Sequence, residues 1–332
     1  MTKSIGIGLL GLGLHGTRYA QHIVRGDVPG AHLVAVWRRD RTQGTAAAER
    51  FGARYVDDLE ALIRDDAVDA VIAAVPAGHH AHIARVAAAA NKPLLCEKPL
   101  GRTYEEAQTI VANFEATGTL LTVAQTLRFD PLVVALAARI DELRGLTGFC
   151  LEQRIEPRGL GWEDDPELAG GGVLIQTGIH TLDALRFVTR PRAVHVRAAS
   201  MTRTVFTRVE DQALVLLELE GAEVSHQERV PGHVASSKVS GSRHMRFAFY
   251  GPAGGLEADF IGRTLTCVRG REQERVDVPE EYTVAKVARG FVAAIRGEGP
   301  NPVPGEHGAR VVGDVTAAYA AASLQWTGGS KE

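Results

Sequence analysis

Six residues restrict this chain more than any others: Gly11-Leu12-Gly13-Leu14-His15-Gly16, set between an apolar run at 5–10 and a helix-forming stretch at 17–24. A GxGxxG spacing alone is common. Directly after a strand and directly before a helix, it is the turn that binds a dinucleotide pyrophosphate. The first glycine permits the tight turn, the second lets the backbone approach phosphate, and the third lets the helix pack close with its N-terminal amides aimed at the anion. The competing reading is a βα turn with no ligand. The same N-terminal stretch superficially resembles a secretion signal, but it is short, glycine-broken and without a small-residue cleavage site, so it reads as a strand.

The rest of the first 125 residues supports the nucleotide reading. Nearly all-apolar runs at 5–10, 32–37, 70–75, 93–96 and 120–124 alternate with helix-forming segments at 42–51, 82–90 and 104–117. This is the rhythm of βαβ units around a parallel sheet covered on both faces. It predicts an α/β Rossmann domain over residues 1–125. At the end of the second strand stand Arg38 and Arg39, where an NAD-selective domain places an acid for the ribose hydroxyl. Two guanidinium groups suit a 2′-phosphate. NADP(H) is therefore the expected cofactor and NAD(H) the alternative, with Asp40 as the competing ribose ligand. The plain alternative is that both arginines are a solvated turn.

Beyond residue 125 the pattern changes. Helices are expected at 132–143 and, strongly amphipathic, at 173–187. Strands follow at 213–220 and 223–230, joined across Gly221-Ala222 as a hairpin, then at 245–250, 255–260 and 264–269 with a turn at 251–254. Residues 232–243, rich in Ser and Gly, read as a mobile loop. The expectation is an α+β second domain over 126–332 built on a large, mostly antiparallel open sheet. A last helix at about 308–324 would pack back on the first domain.

Glu97-Lys98-Pro99 after the fifth strand, and Gly170-Gly171-Gly172 leading into Gln176, His180 and Asp183, add the chemistry. With the glycine turn, with Pro76 and His80 after the fourth strand, and with Arg128-Phe129-Asp130-Pro131 at the domain junction, this set resembles the glucose–fructose oxidoreductase/inositol dehydrogenase (Gfo/Idh/MocA) family along essentially the whole chain. The resemblance implies a catalytic Lys98 and a catalytic His180, with Pro76, His80 and Glu97 beside the cofactor. It also implies an aspartate four residues before the histidine, a position that Gln176 occupies here. An amide bonds but cannot hold a carboxylate's charge.

In physical terms, Lys98 stands beyond the carboxyl end of a parallel strand, where open α/β sheets bind ligands. Gln176 and His180 share a helical face. The activity implied is hydride transfer between nicotinamide and a secondary alcohol or carbonyl of a sugar, cyclic polyol or derivative. Lys98 would polarise the reacting oxygen, His180 relay its proton, and Gln176 position the substrate. A non-catalytic or regulatory nicotinamide-binding protein is the alternative that Gln176 motivates, and an enzyme with no net redox change a third. Trp162 and Arg128 are the further substrate candidates, with a loop around Trp162 and the 232–243 segment supplying contacts. Arg154 and Arg158 read as solvated charges, and Asp183 as a group that orients His180.

Composition excludes other classes. A net charge of −3 over 332 residues argues against a nucleic-acid partner, and no apolar run is long enough to span a bilayer. Cys96, Cys150 and Cys267 are scattered, so neither disulfides nor a cysteine metal site is expected, and the cytoplasm is the expected compartment. His79, His80 and His82 lack the spacing of a metal site. One face of the second sheet lacks evident helical cover, which predicts a homodimer or homotetramer.

Overall fold

The computed structural model describes residues 4–157 and 159–322. They form two compact units, residues 4–126 with 282–312 and residues 127–281 with 313–322. The 282–312 segment, assigned from sequence to the second domain, is thus part of the first unit.

The first unit holds β1 (Ile5–Leu10), β2 (Ala31–Trp37), β3 (Arg54–Tyr55), β4 (Ala70–Ala73), β5 (Leu94–Glu97) and β6 (Leu121–Ala124). Their spatial order is β3-β2-β1-β4-β5-β6, and all neighbours are parallel. Every residue of β4, β5 and β6 is buried, as a sheet covered on both faces requires. The crossovers are α1 (Leu14–Val24), α2 (Arg41–Phe51), α3 (Leu59–Arg64), α4 (His80–Ala89) and α5 (Tyr104–Thr117). Local chemistry sets their ends. Asp40, Asp58 and Thr103 cap the N-termini of α2, α3 and α5 through side-chain oxygens, while Gly52 and Gly118 close α2 and α5 in the left-handed conformation. Strand order reverses between β1 and β4, so the turns after these strands open at the switch point.

The second unit contains α6 (Pro131–Arg139), started by an Asp130 cap, α7 (Pro166–Ala169) and α8 (Ile179–Thr189). Its sheet comprises β7 (Gly148–Arg154), β8 (Ala193–Thr202), β9 (Gln212–Glu220), β10 (Arg229–Ser237), β11 (His244–Gly251), β12 (Gly254–Asp259), β13 (Thr264–Arg269) and β14 (Glu272–Asp277). The order is β14-β13-β12-β11-β7-β10-β9-β8, antiparallel except for β7 with β10. The fold class read from sequence is the one observed.

Three local expectations are corrected. The 232–243 segment is not a mobile loop: its first half lies inside β10, between β9 and β7. Its small residues are there for packing, since a Cβ on Gly232 would fall 2.5 Å from the Phe149 ring. The strand expected at 223–230 accordingly begins only at Arg229, and the link from β9 is longer than a two-residue hairpin. The helix expected at 173–187 is not amphipathic. A π-helical turn at Leu174–Gly178 leads into α8, and both faces are largely buried. The charged β14, exposed along its length, gave no apolar signal to read and suits a sheet edge.

Two helices close the chain, α9 (Thr283–Ile295) and α10 (Gly305–Ala321). Within the first unit, α9 packs beside α1, and Gly305 and Gly308 lie so close to Leu121 and Val123 that a Cβ would sit 2.5 and 2.7 Å from them. Within the second, Asp314 pairs with Arg186 at 2.6 and 2.7 Å. Residues 323 and 324 of the expected last helix lie outside the described residues. Among those described, no helix is long and apolar enough to cross a membrane.

Candidate active site

The phosphate turn is built by contacts that two of its glycines allow and that the third does not need. Gly11 adopts φ +89°, and a Cβ there would lie 2.4 Å from the Ala74 carbonyl oxygen. A Cβ on Gly16 would lie 1.9 Å from the Gly11 oxygen, so α1 starts directly against the turn. Gly13 has nothing within 4 Å of its Cβ position. It caps α1 with no side-chain hydrogen bond, and the first turn of the helix holds no acid. Unsatisfied amides at a helix start beside an open glycine form an anion cradle. The residues present therefore fit a dinucleotide.

Arg38 reaches back over this turn, donating to the Leu12 carbonyl at 2.8 Å and to Gln43 Oε1. Asp40 is occupied elsewhere. Its carboxylate accepts from the Gln43 backbone N–H at 2.9 Å and from Gln43 Nε2 at 2.7 Å, and these bonds hold its pKa below the usual range. Arg39 is exposed.

At the ends of β4 and β5 the remaining groups of this unit converge. His80 is fully buried, with Nδ1 2.8 Å from the Pro99 carbonyl and Nε2 3.0 Å from that of Val75. It thereby ties the Pro76 turn after β4 to the Lys98–Pro99 peptide, which is cis. Burial lowers its pKa, so imidazole rather than imidazolium is favoured. Glu97 accepts from the Tyr19 hydroxyl at 3.2 Å, and His15 Nδ1 lies 3.9 Å away. Burial raises the pKa of Glu97 and, with the help of that carboxylate, of Tyr19. Lys98 is half-buried at the carboxyl end of β5. Cys96 is buried and its thiol pKa is pushed far up, which removes it as a nucleophile. His79 and His82 are exposed, His82 pairing with Glu60 at 3.1 Å.

In the second unit His180 is half-buried on the first turn of α8. Gln176, one turn earlier, is buried. Its Nε2 donates to the carbonyls of Glu163 at 2.6 Å and Gly171 at 2.7 Å, and its Oε1 accepts from Lys238 Nζ. Arg128, expected to meet a ligand, is buried and turned to Asp183, donating to both carboxylate oxygens, one of them at 3.0 Å. Its guanidinium also stacks 5.4 Å over the Phe187 ring. This pair fastens α8 from within. Trp162 stays 37% exposed on the turn Gly161–Asp164. Arg154 pairs with Glu152 at 3.1 Å on the outer surface, and Arg158 lies outside the described residues.

Lys238 and Glu163 were missed from sequence because nothing near them marks a buried charge. Strand pairing also assembles Cys150, Glu152 and His233, whose ligand-capable atoms lie within 4.8 Å of one another. That set is internally bonded, with Cys150 Sγ 3.0 Å from His233 Nε2 and Arg154 on Glu152.

Residues 5–125 match the oxidoreductase family with an NAD-binding Rossmann fold, GFO/IDH/MocA, and residues 137–257 match the GFO/IDH/MocA C-terminal domain. The chain belongs to the Gfo/Idh/MocA family. It is thus a nicotinamide-dependent oxidoreductase. Among Gfo/Idh/MocA relatives, an inositol 2-dehydrogenase from Rubrobacter xylanophilus is 30% identical over 89% of this chain and 77% of its own length. Two solved structures share the fold throughout. A levoglucosan dehydrogenase in complex with NADH and L-sorbose superimposes with a TM-score of 0.85 at 21% identity, over 97% of both chains. A 3-ketoreductase from Actinomadura kijaniata with NADP and TDP-benzene gives 0.85 at 22% identity, over 96% of this chain and 98% of that one.

Proposed function

We propose that this Gfo/Idh/MocA protein oxidises a secondary alcohol, or reduces the corresponding carbonyl, on a sugar, cyclic polyol or derivative, with NADP(H) preferred over NAD(H). The names of its relatives support the substrate class. The observation that carries the cofactor preference is Arg38. It is held over the glycine turn by the Leu12 carbonyl and Gln43, while Asp40, the competing ribose ligand, is engaged in capping α2. A guanidinium placed there meets a 2′-phosphate with charge-assisted hydrogen bonds.

When bound, the nicotinamide supplies the hydride acceptor or donor. Leu12, Gly13, Leu14, His15 and Gly16 would meet the pyrophosphate with backbone amides, while Gly11 shapes the turn with its own N–H donating to the Trp37 carbonyl at 2.9 Å. Arg38 and Arg39 would stand at the ribose, and Pro76, His80 and Glu97 would shape the turns beside it. Lys98, an ammonium on a stiff strand end, polarises the reacting oxygen as charge develops on it. His180 takes the hydroxyl proton during oxidation and returns it during reduction, a task to which an imidazole is suited. Trp162 offers an aromatic face to a sugar ring. Gln176 acts on substrate through the groups that it holds.

The working compartment is the cytoplasm, consistent with three free cysteines. A homodimer or homotetramer would cover the outer face of the eight-stranded sheet, where Leu214, Leu216 and Tyr250 are exposed. Light scattering that finds only monomer would remove that assembly.

The test of the function begins with NADPH and NADH titrations followed by protein fluorescence. Tight NADPH and weak NADH binding is expected, and binding of neither overturns the reading. Polyols and sugars, inositols included, are then screened with the bound cofactor. On the substrate found, Lys98→Ala and His180→Ala each lower kcat on the order of a thousandfold. Full turnover in both variants would dismiss the assigned roles.

A further inference from the structure

Lys238 follows directly on β10, with its backbone N–H donating to the Asp211 carbonyl at 2.8 Å. Its side chain is 2% exposed, and that of Glu163 is likewise 2% exposed. A buried ammonium persists only with a counter-charge and acceptors. Lys238 Nζ donates to Glu163 Oε1 at 2.8 Å and to Gln176 Oε1, and lies 5.7 Å over the Phe206 ring centroid. The second Glu163 oxygen has neither exposure nor a hydrogen-bond partner. The carboxylate therefore depends on Lys238 as strongly as Lys238 depends on it.

Gln176 completes the set, because its two amide hydrogens hold the Glu163 and Gly171 carbonyls. Within this set the ammonium answers the carboxylate, and the amide adds no charge. An aspartate at 176 would set two carboxylates around one ammonium. It would also face two carbonyl oxygens with no hydrogen to donate. Glutamine is the residue this arrangement requires.

The cluster holds one turn. Trp162 immediately precedes Glu163, and the next residue, Asp164, fastens the turn from another side by accepting from the backbone N–H groups of Thr207, Arg208 and Val209 at 2.8 to 3.2 Å. Trp162 itself stays partly exposed on a turn whose next two residues are buried or bonded.

We propose that the buried Lys238–Glu163 pair, closed by Gln176, is a positioning device that fixes the Trp162 turn against the π-helical segment ahead of His180 and so determines which substrate the enzyme accepts. The inference deepens the oxidoreductase reading and rests on it only for what Trp162 meets. Neither Lys238 nor Glu163 touches substrate; both act through the turn.

The test uses the full chain with W37F and W326F, so that Trp162 is the sole tryptophan. Acrylamide quenching and emission wavelength then report its surroundings without any substrate. E163Q is expected to shift emission to the red and raise quenching while NADPH affinity holds. Q176D is expected to lower the melting temperature. Should E163Q fail to fold, E163Q/K238M removes both buried charges and is measured in its place, with the same red shift expected. On the substrate identified by the screen, the double variant raises KM about tenfold with kcat little changed. Emission, quenching and KM equal to the parent's in the charge-altered variants, or a Q176D protein as stable as the parent, overturns the proposal. A parent that binds no NADPH would instead remove the oxidoreductase reading and leave the quenching result to decide the positioning.

Discussion

The glycine cluster at 11–16 and the one at 170–172 use the missing side chain in different ways. In the first, Gly11 and Gly16 are filled by neighbouring backbone, while Gly13 opens onto nothing in the protein. In the second, the space is taken by protein. A Cβ on Gly172 would fall 1.7 Å from the Glu210 carbonyl oxygen, and Gly171, at φ +152°, lies against the Tyr319 hydroxyl. The Glu210 carboxylate explains the crowding. It accepts from the Gly172 and Leu174 N–H groups at 2.9 and 3.0 Å and from Tyr319 at 2.8 Å, anchoring the start of the π-helical turn. One cluster leaves a space that the protein itself does not fill; the other lets a buried acid reach backbone.

That difference can be broken by experiment. Gly172→Ala should be the most damaging change, destabilising by about 3 kcal/mol because backbone rather than a flexible side chain must yield. Calorimetry reads the loss, and a melting temperature near the parent's would show that the second cluster has slack. Arg38→Ala should weaken NADPH binding by about 2 kcal/mol, the scale of a lost charge-assisted bond, and leave NADH binding unchanged. Equal losses for both cofactors would mean that Arg38 supports the turn through Leu12 rather than reading the phosphate. Gly13→Ala sharpens the contrast most. Its backbone is extended, so alanine fits, and folding stability should stay within about 1 kcal/mol of the parent. NADPH affinity should nevertheless fall about tenfold, or 1.4 kcal/mol. Unchanged affinity would show that phosphate does not approach Gly13.

Much of the first unit was legible before any coordinates. Parallel strands buried on both faces are continuous apolar runs, and the helices between them carry their own start and stop signals, such as Asp40, Thr103 and Gly118. The second unit was harder to read. Its central strand β10 contains Gly232, Ser236 and Ser237, a composition that spells loop, because an alternating sheet needs small residues wherever a ring such as that of Phe149 lies across it. Within the candidate site, the glycine turn and Arg38 could be picked out from position, and Lys98, Gln176 and His180 from the family resemblance. The pairing of Arg128 with Asp183 could not be read from sequence, since the two lie far apart along the chain.

The sequence by itself determined what depends on neighbours a few residues apart: the phosphate turn, the helix caps, the parallel sheet and the family. Tertiary structure decided what depends on charges brought together from distant segments. It gave Arg128 to Asp183, Asp314 to Arg186, and Lys238 to Glu163 and Gln176. A buried ion must find its counter-ion wherever the fold puts one, and no local pattern records that distance.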